Sequence, residues 1–125
     1  MEKISYGALN RLNDCLQRLM SLTGDYGLCI AKTKMAIAGE VGVYKEMFDN
    51  VVKKYGEEND GKISISHKSP RWKEFLTEYE KLITTETEVN IYRVKADGFK
   101  LDDIKCDGAN AEDYMVFSEL MVEKE

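Results

Sequence analysis

The chain is predicted to fold as an α+β single domain spanning residues 1–125, mostly helical, with one long central helix and a small two-stranded sheet. Three observations predict it. Apolar residues recur at helical spacing over most of the chain, two short alternating apolar pieces read as strands, and strong turn and cap signals punctuate the elements. A length of 125 residues is that of one domain with a core of its own, and 43% hydrophobic with 33% charged residues is an ordinary globular balance.

The elements follow in order. Ser5 is placed to cap a helix in which Leu9, Leu12, Leu16 and Leu19 step by three and four, leaving Arg11, Asp14, Gln17 and Arg18 on the outer side. Gly24, Asp25 and Gly27 read as a turn. A helix from about Leu28 to Tyr55 follows, with Ile30, Ile37, Val41, Tyr44, Phe48, Val51 and Tyr55 on one side. At 1.5 Å per residue it is about 40 Å long and forms the spine of the molecule.

Gly39 and Gly42 sit in its middle, where each costs up to about 1 kcal/mol relative to alanine. A bend or a close backbone neighbour is expected there. The stretch "AGEVGVY" lacks the glycine spacing and the preceding strand of a phosphate loop, so packing is the better explanation. Lys53 and Lys54 favour the helix C-terminus, and Gly56 is expected to end it in a left-handed conformation.

Asp60-Gly61 is a hairpin-type turn signal, and Ile63 and Ile65 alternate in "KISIS". So short a strand needs a partner. The expected one is the antiparallel strand "TEVNIYRV", Thr87 to Val94, which holds Val89 and Ile91. Between them Ser69 reads as an N-cap and Pro70 as the first helical residue of a helix with Trp72, Phe75, Leu76, Tyr79, Leu82 and Ile83 on its apolar side. Trp72 is expected to pack between this helix and the long one. Asn110 and Asp113 have the spacing of a capping box for a last helix that turns Tyr114, Phe117, Leu120 and Met121 inward.

Chemistry is sparser than architecture. Cys15, Cys29 and Cys106 are odd in number, far apart and in no CxxC pattern, which fits reduced thiols in a cytoplasmic setting, and the single histidine, His67, lies in a polar loop. No local signature pairs a thiol with a base. No secretory signal opens the chain, and no apolar stretch approaches the roughly 20 residues of a membrane span. The formal charge of −5 argues against direct DNA binding, and the acidity is read as a solubility feature in preference to mimicry of nucleic acid.

Asp102, Asp103, Asp107, Glu112 and Asp113 do not follow the ligand alternation of a Ca²⁺ loop and are read as a solvated acidic edge. Arg11 and Arg18, one heptad apart on an exposed helix face, are positioned for a phosphate or carboxylate, although Asp14 four residues before Arg18 makes a plain surface pair. No metal, cofactor or catalytic set emerges. The candidate binding residues are therefore Arg11, Arg18, Gly39, Gly42, Arg71, Trp72, Asp102, Asp103 and Asp107.

The long helix ending in "KKYGEENDGK", then "ISIS", the helix and strand "WKEFLTEYEKLITTETEVNIYRV" and the acidic "FKLDDI" resemble a family of small uncharacterised proteins from phages and prophages of Gram-positive bacteria. Its members carry "KYGEKDE", a helix with "FNEEFNELL", then "EVEI" and a "LDDL" or "LDEL" segment. The resemblance covers nearly the whole chain beyond Leu28, while the first 25 residues match less clearly. It implies a viral origin and no nameable enzymatic activity, and it brings no catalytic residues.

The resemblance supports a binding role, by analogy and by the absence of any catalytic residues it could carry over. The expected function is stoichiometric binding in the host cytoplasm, as an inhibitor of a host defence component, with a host or phage protein or a small nucleotide signal as partner. Homo-oligomerisation is compatible with that role. The alternative is a structural or assembly accessory of the virion or tail. A third class, a minimal hydrolase, requires clustered titratable residues that the sequence gives no reason to expect.

Overall fold

The computed structural model describes residues 1–124, and its elements run β1 (Glu2–Ser5), α1 (Tyr6–Arg18), α2 (Gly24–Tyr55), β2 (Glu57–Asn59), β3 (Lys62–Ser64), α3 (Trp72–Thr84), β4 (Glu86–Val89), a 3-10 turn (Leu101–Ile104) and α4 (Ala111–Leu120). The α+β character and the long central helix are as the periodicity predicts. There are, however, two small antiparallel sheets among the described residues.

The helix ends are set by local chemistry. Ser5 caps α1, its hydroxyl accepting from the Ala8 N–H at 3.2 Å. Asn110 and Asp113 form the expected capping box of α4, each side chain accepting from the other's backbone N–H at 3.0 Å. α2 starts four residues before Leu28, absorbing the glycines read as a turn, and runs uninterrupted to Tyr55. α3 starts later than expected. Ser69 and Pro70 lie in a turn before it, where the Ser69 hydroxyl accepts from Arg71 N–H and the Ser69 carbonyl from Trp72 N–H, so the first helical residue is Trp72.

The strand pairing corrects the sequence expectation. β3, which carries Ile63, pairs with β2 through the Asp60-Gly61 turn, both of whose residues have positive φ (53° and 80°). The Val89 strand pairs instead with β1, in a register that sets Glu2 opposite Val89 and Ile4 opposite Thr87. Ile4 and Val89 are buried there, whereas Ile63 is 40% exposed. Burial explains the choice. The β1–β4 ladder closes a core already built from α1, and a strand whose apolar residue faces solvent gains nothing by joining it.

The expected strand Thr87 to Val94 is also cut short, β4 ending at Val89. Beyond it the chain crosses α2, and Thr33, fully buried, takes over from the ladder: its hydroxyl accepts from Tyr92 N–H at 2.9 Å and reaches the Tyr92 carbonyl at 3.3 Å. One side chain thus satisfies both backbone groups of one residue. Thr33→Val, nearly isosteric, leaves both unpaired and is expected to cost about 1 to 3 kcal/mol in urea unfolding.

Gly56 does not adopt the left-handed conformation expected of it, having φ −83°. Its role is steric. A Cβ there would lie 2.7 Å from the Ser64 carbonyl, so glycine is what lets β3 fold back against the end of α2.

Two apolar clusters share the long helix. The larger joins Leu9, Leu12 and Leu16 of α1, Ile30, Ile37 and Val41 of α2, and Phe117 of α4 with Ile104 and Met121. The smaller, at the far end, is built on Val51, Tyr55 and Phe75, with Phe48, Val52, Ile65, Trp72, Leu76 and Tyr79 partly buried around it. No helix among the described residues is long and apolar enough to cross a membrane.

Candidate functional site: an aromatic cleft at the end of the long helix

The last turns of α2 present Phe48, Val52 and Tyr55 on one side, at spacings of four and three. Across from them α3 presents Trp72, Phe75, Leu76 and Tyr79, the i, i+3, i+4 and i+7 positions of a helix stripe. The hairpin closes one end with Ile63, Ser64 and Ile65. All of these except Tyr55 line an open cavity of about 420 Å³, with no charged side chain in its lining.

The aromatic rings form a continuous series. Trp72 stacks on Phe75 at 5.3 Å between centroids, Phe75 lies parallel to Tyr79 at 5.9 Å, and Tyr79 meets Phe48 edge-on at 5.7 Å. The series continues through Tyr44 to Tyr6 of α1, and at its outer end His67 packs edge-on against Trp72. Burial pushes the Tyr44 hydroxyl up to about 12, so this ring is neutral at physiological pH.

Charge is confined to the rim. Glu78 accepts from Lys54 at 2.6 Å and from the Tyr55 hydroxyl at 2.7 Å, both on Oε1. Those two hydrogen bonds, Lys54's first, hold the Glu78 carboxyl below its ordinary range. The same contact with Glu78 raises the Tyr55 hydroxyl. The Arg71 guanidinium stands 4.7 Å from the Tyr55 ring centre and the Lys54 ammonium 5.2 Å from it. The result is an apolar trough with a hydrogen-bonded ionic edge, the layout of a contact surface whose core is dry and whose rim is polar.

Of the residues singled out from sequence, this cleft brings together Trp72 and Arg71. Trp72 does pack between α3 and α2, half-buried and not enclosed. Arg11 is exposed on α1 and stands apart from the cleft lining. Gly39 and Gly42 lie on the solvent face of α2; no bend is needed to accommodate them, and a Cβ at either would meet nothing within 4 Å. Asp102 and Asp103 sit on the 3-10 turn, where Asp102 pairs with Lys105 at 2.8 Å and Asp103 accepts from the Tyr26 hydroxyl at 3.0 Å, while Asp107 is exposed in the following loop.

Two expectations about charge are overturned. Arg18 pairs with Asp113, not with Asp14, through two hydrogen bonds of 2.6 and 2.7 Å. Asp113 is consequently not part of a solvated acidic edge, its side chain being 1% exposed. The Arg18 bond, ahead of the opposing effect of burial, holds its carboxyl below the ordinary range.

The thiols are quiet. Burial, then the Asp113 charge, pushes Cys15 up to about 12, and burial likewise raises Cys29, so neither is a thiolate near neutrality. No group of three or more His, Cys, Asp or Glu side chains among the described residues is placed to hold a metal ion.

Sequence reasoning assigned Phe48, Phe75 and Tyr79 to the core and overlooked Lys54, Tyr55 and Glu78 as a rim. The available signal was the density of aromatics between Tyr44 and Tyr79, more than two helix stripes need to cover each other. Comparison with family models, with curated proteins and with solved structures gives no match for this chain.

Proposed function

We propose that this protein acts by stoichiometric binding inside a bacterial cell, as a phage-encoded antagonist of a host defence component, and that the aromatic cleft is where it grips its partner. The observation that carries the reading is the cleft itself: an open apolar wall of aromatic and aliphatic side chains with charge only at its rim. Such a wall is suited to apolar anchor side chains of a protein, because aromatic surface that is already rigid loses little entropy when it is covered. The lining includes the aliphatic side chains of Val52, Ile63, Ile65 and Leu76 and no cationic one, which favours a protein segment over a phosphate-bearing ligand. The phage origin rests on the resemblance of nearly the whole chain beyond Leu28 to the prophage family.

The test compares the protein with its Trp72→Ala variant. Being half-buried, Trp72 should cost only about 1 to 2 kcal/mol of stability when truncated, so the variant stays folded. Affinity capture from infected-cell lysate, with mass spectrometry of proteins and of small molecules released on denaturation, should recover a host protein near equimolar ratio with the parent and not with the variant. Reconstituted defence activity should fall linearly with added protein and vanish near equivalence. Equal capture by Trp72→Ala removes the cleft from the mechanism. Loss of defence at far substoichiometric amounts, with turnover of a substrate, means an enzyme, and recovery of phage tail or capsid subunits means an assembly factor.

A further inference from the structure

The side of α2 that faces away from both apolar clusters carries exposed apolar residues interspersed with charged ones. Met35 is 81% exposed, Leu28 54% and Val43 44%, and Gly39 and Gly42 lie between them. Exposed apolar residues aligned along one helix face mark a surface suited to a partner. The two glycines weaken it without any packing reason inside the chain, since open space surrounds each.

We infer that this face is the interface of a homodimer, in which α2 packs antiparallel against α2 of a second copy about a twofold axis at Gly39. The charges on the face select this occupant and this register. Four charged residues share the face with the apolar ones, Asp25, Lys32, Glu46 and Lys53, all exposed and none in an ion pair among the described residues. Within the chain Lys32 has only a cation–π contact, its ammonium standing over the Tyr92 ring 5.8 Å from the centre.

With the axis at Gly39, Lys32 meets Glu46 of the second copy and Asp25 meets Lys53, each contact made twice by symmetry. Met35 then meets Val43, and Gly39 crosses itself where two helices must approach most closely. Moving the axis by half a residue sets Lys32 against Lys45. A parallel arrangement sets Lys32 against Lys32 and Glu46 against Glu46. Of these three arrangements, the antiparallel register at Gly39 gives each of the four charges an opposite neighbour.

The stripe from Asp25 to Lys53 is about 42 Å long at 1.5 Å per residue and about 10 Å wide, so roughly 400 Å² per copy is covered. That total, about 800 Å², is below the roughly 1,000 Å² of a stable specific interface, so the dimer is a weak, transient one. The inference does not depend on the cleft, whose residues come from the opposite, covered side of α2.

Sedimentation velocity of the full chain from about 1 μM to about 500 μM tests it, a range that reaches the concentrations at which a weak dimer forms. Lys32→Glu and Glu46→Lys should each weaken association by about tenfold or more, since each places two like-charged pairs across the axis, and the double variant should return it to within about threefold of the parent. These are exposed positions, and circular dichroism of each variant should match the parent. A monomer throughout the range overturns the inference. So does a dimer that is indifferent to the single reversals or is not restored by the double one.

Discussion

Replacing Phe117 with alanine should cost about 3 to 5 kcal/mol and lower the melting temperature by about 10 to 20 °C, the largest effect of any single truncation considered. The ring is fully buried where α4 closes the larger cluster, stacked with Phe99 at 6.0 Å and tilted against Tyr26 at 6.3 Å. Its removal leaves a void between three elements that are held apart by other contacts: Tyr26 belongs to α2, and the Phe99 segment leads into the 3-10 turn. Partial collapse is all that such a site permits. For a domain whose total stability is of the order of 5 to 15 kcal/mol, this is a large share. Thermal unfolding followed by circular dichroism measures it, and a loss below about 1 kcal/mol would mean that the cluster repacks freely.

Arg18→Ala should come second, at about 2 to 3 kcal/mol near neutral pH. It leaves the Asp113 carboxylate, 1% exposed, with only the backbone N–H of Asn110 donating to it. Breaking a buried pair from one side costs more than the pair is worth, because the remaining charge stays out of water. The Arg18 side chain is 38% exposed, so solvent reaches the pair and the cost falls below that of a fully enclosed one.

The pH dependence has a definite sign. The folded-state pKa of Asp113 is depressed below 3.8, so the pair's contribution is fully present above that value and is lost as the pH falls through the lower folded value. The gap between parent and variant in urea unfolding should therefore be constant from pH 5 to 7 and shrink below about pH 4. A gap that widened in acid would contradict the assignment.

That pair also marks where sequence reading ends. Asp14 is four residues from Arg18 and Asp113 is 95 away, so local spacing necessarily favoured the wrong carboxylate. Asp113 was legible in its other role, because a capping box is a contact over three residues. The same division holds for the strands. The hairpin at Asp60-Gly61 was readable as a turn, and Val89 as a strand residue, but which strand pairs with which depends on β1, a four-residue piece with one buried apolar residue, Ile4. Nothing in "EKIS" announces a strand until the core beside it exists.

The site was legible in part for a related reason. Trp72 and Arg71 stood out by residue type, whereas Tyr55, Lys54 and Glu78 become a rim only when α3 comes to lie beside the end of α2. Gly39 and Gly42 were noticed for the cost they impose on a helix, and that cost is unrelieved within one chain.

The placement of the smaller cluster decides what light can report about this molecule. Trp72 is the only tryptophan, and it sits among Phe75, Tyr79 and Phe48, away from the leucines of α1 and from Phe117. Tryptophan emission is therefore a probe of one end of the protein, while far-ultraviolet dichroism averages over all four helices. Three buried residues hold that end, against fourteen in the larger cluster, so it is expected to open first under denaturant. An emission transition that precedes the dichroism transition is then a statement about the cleft and not about the whole fold.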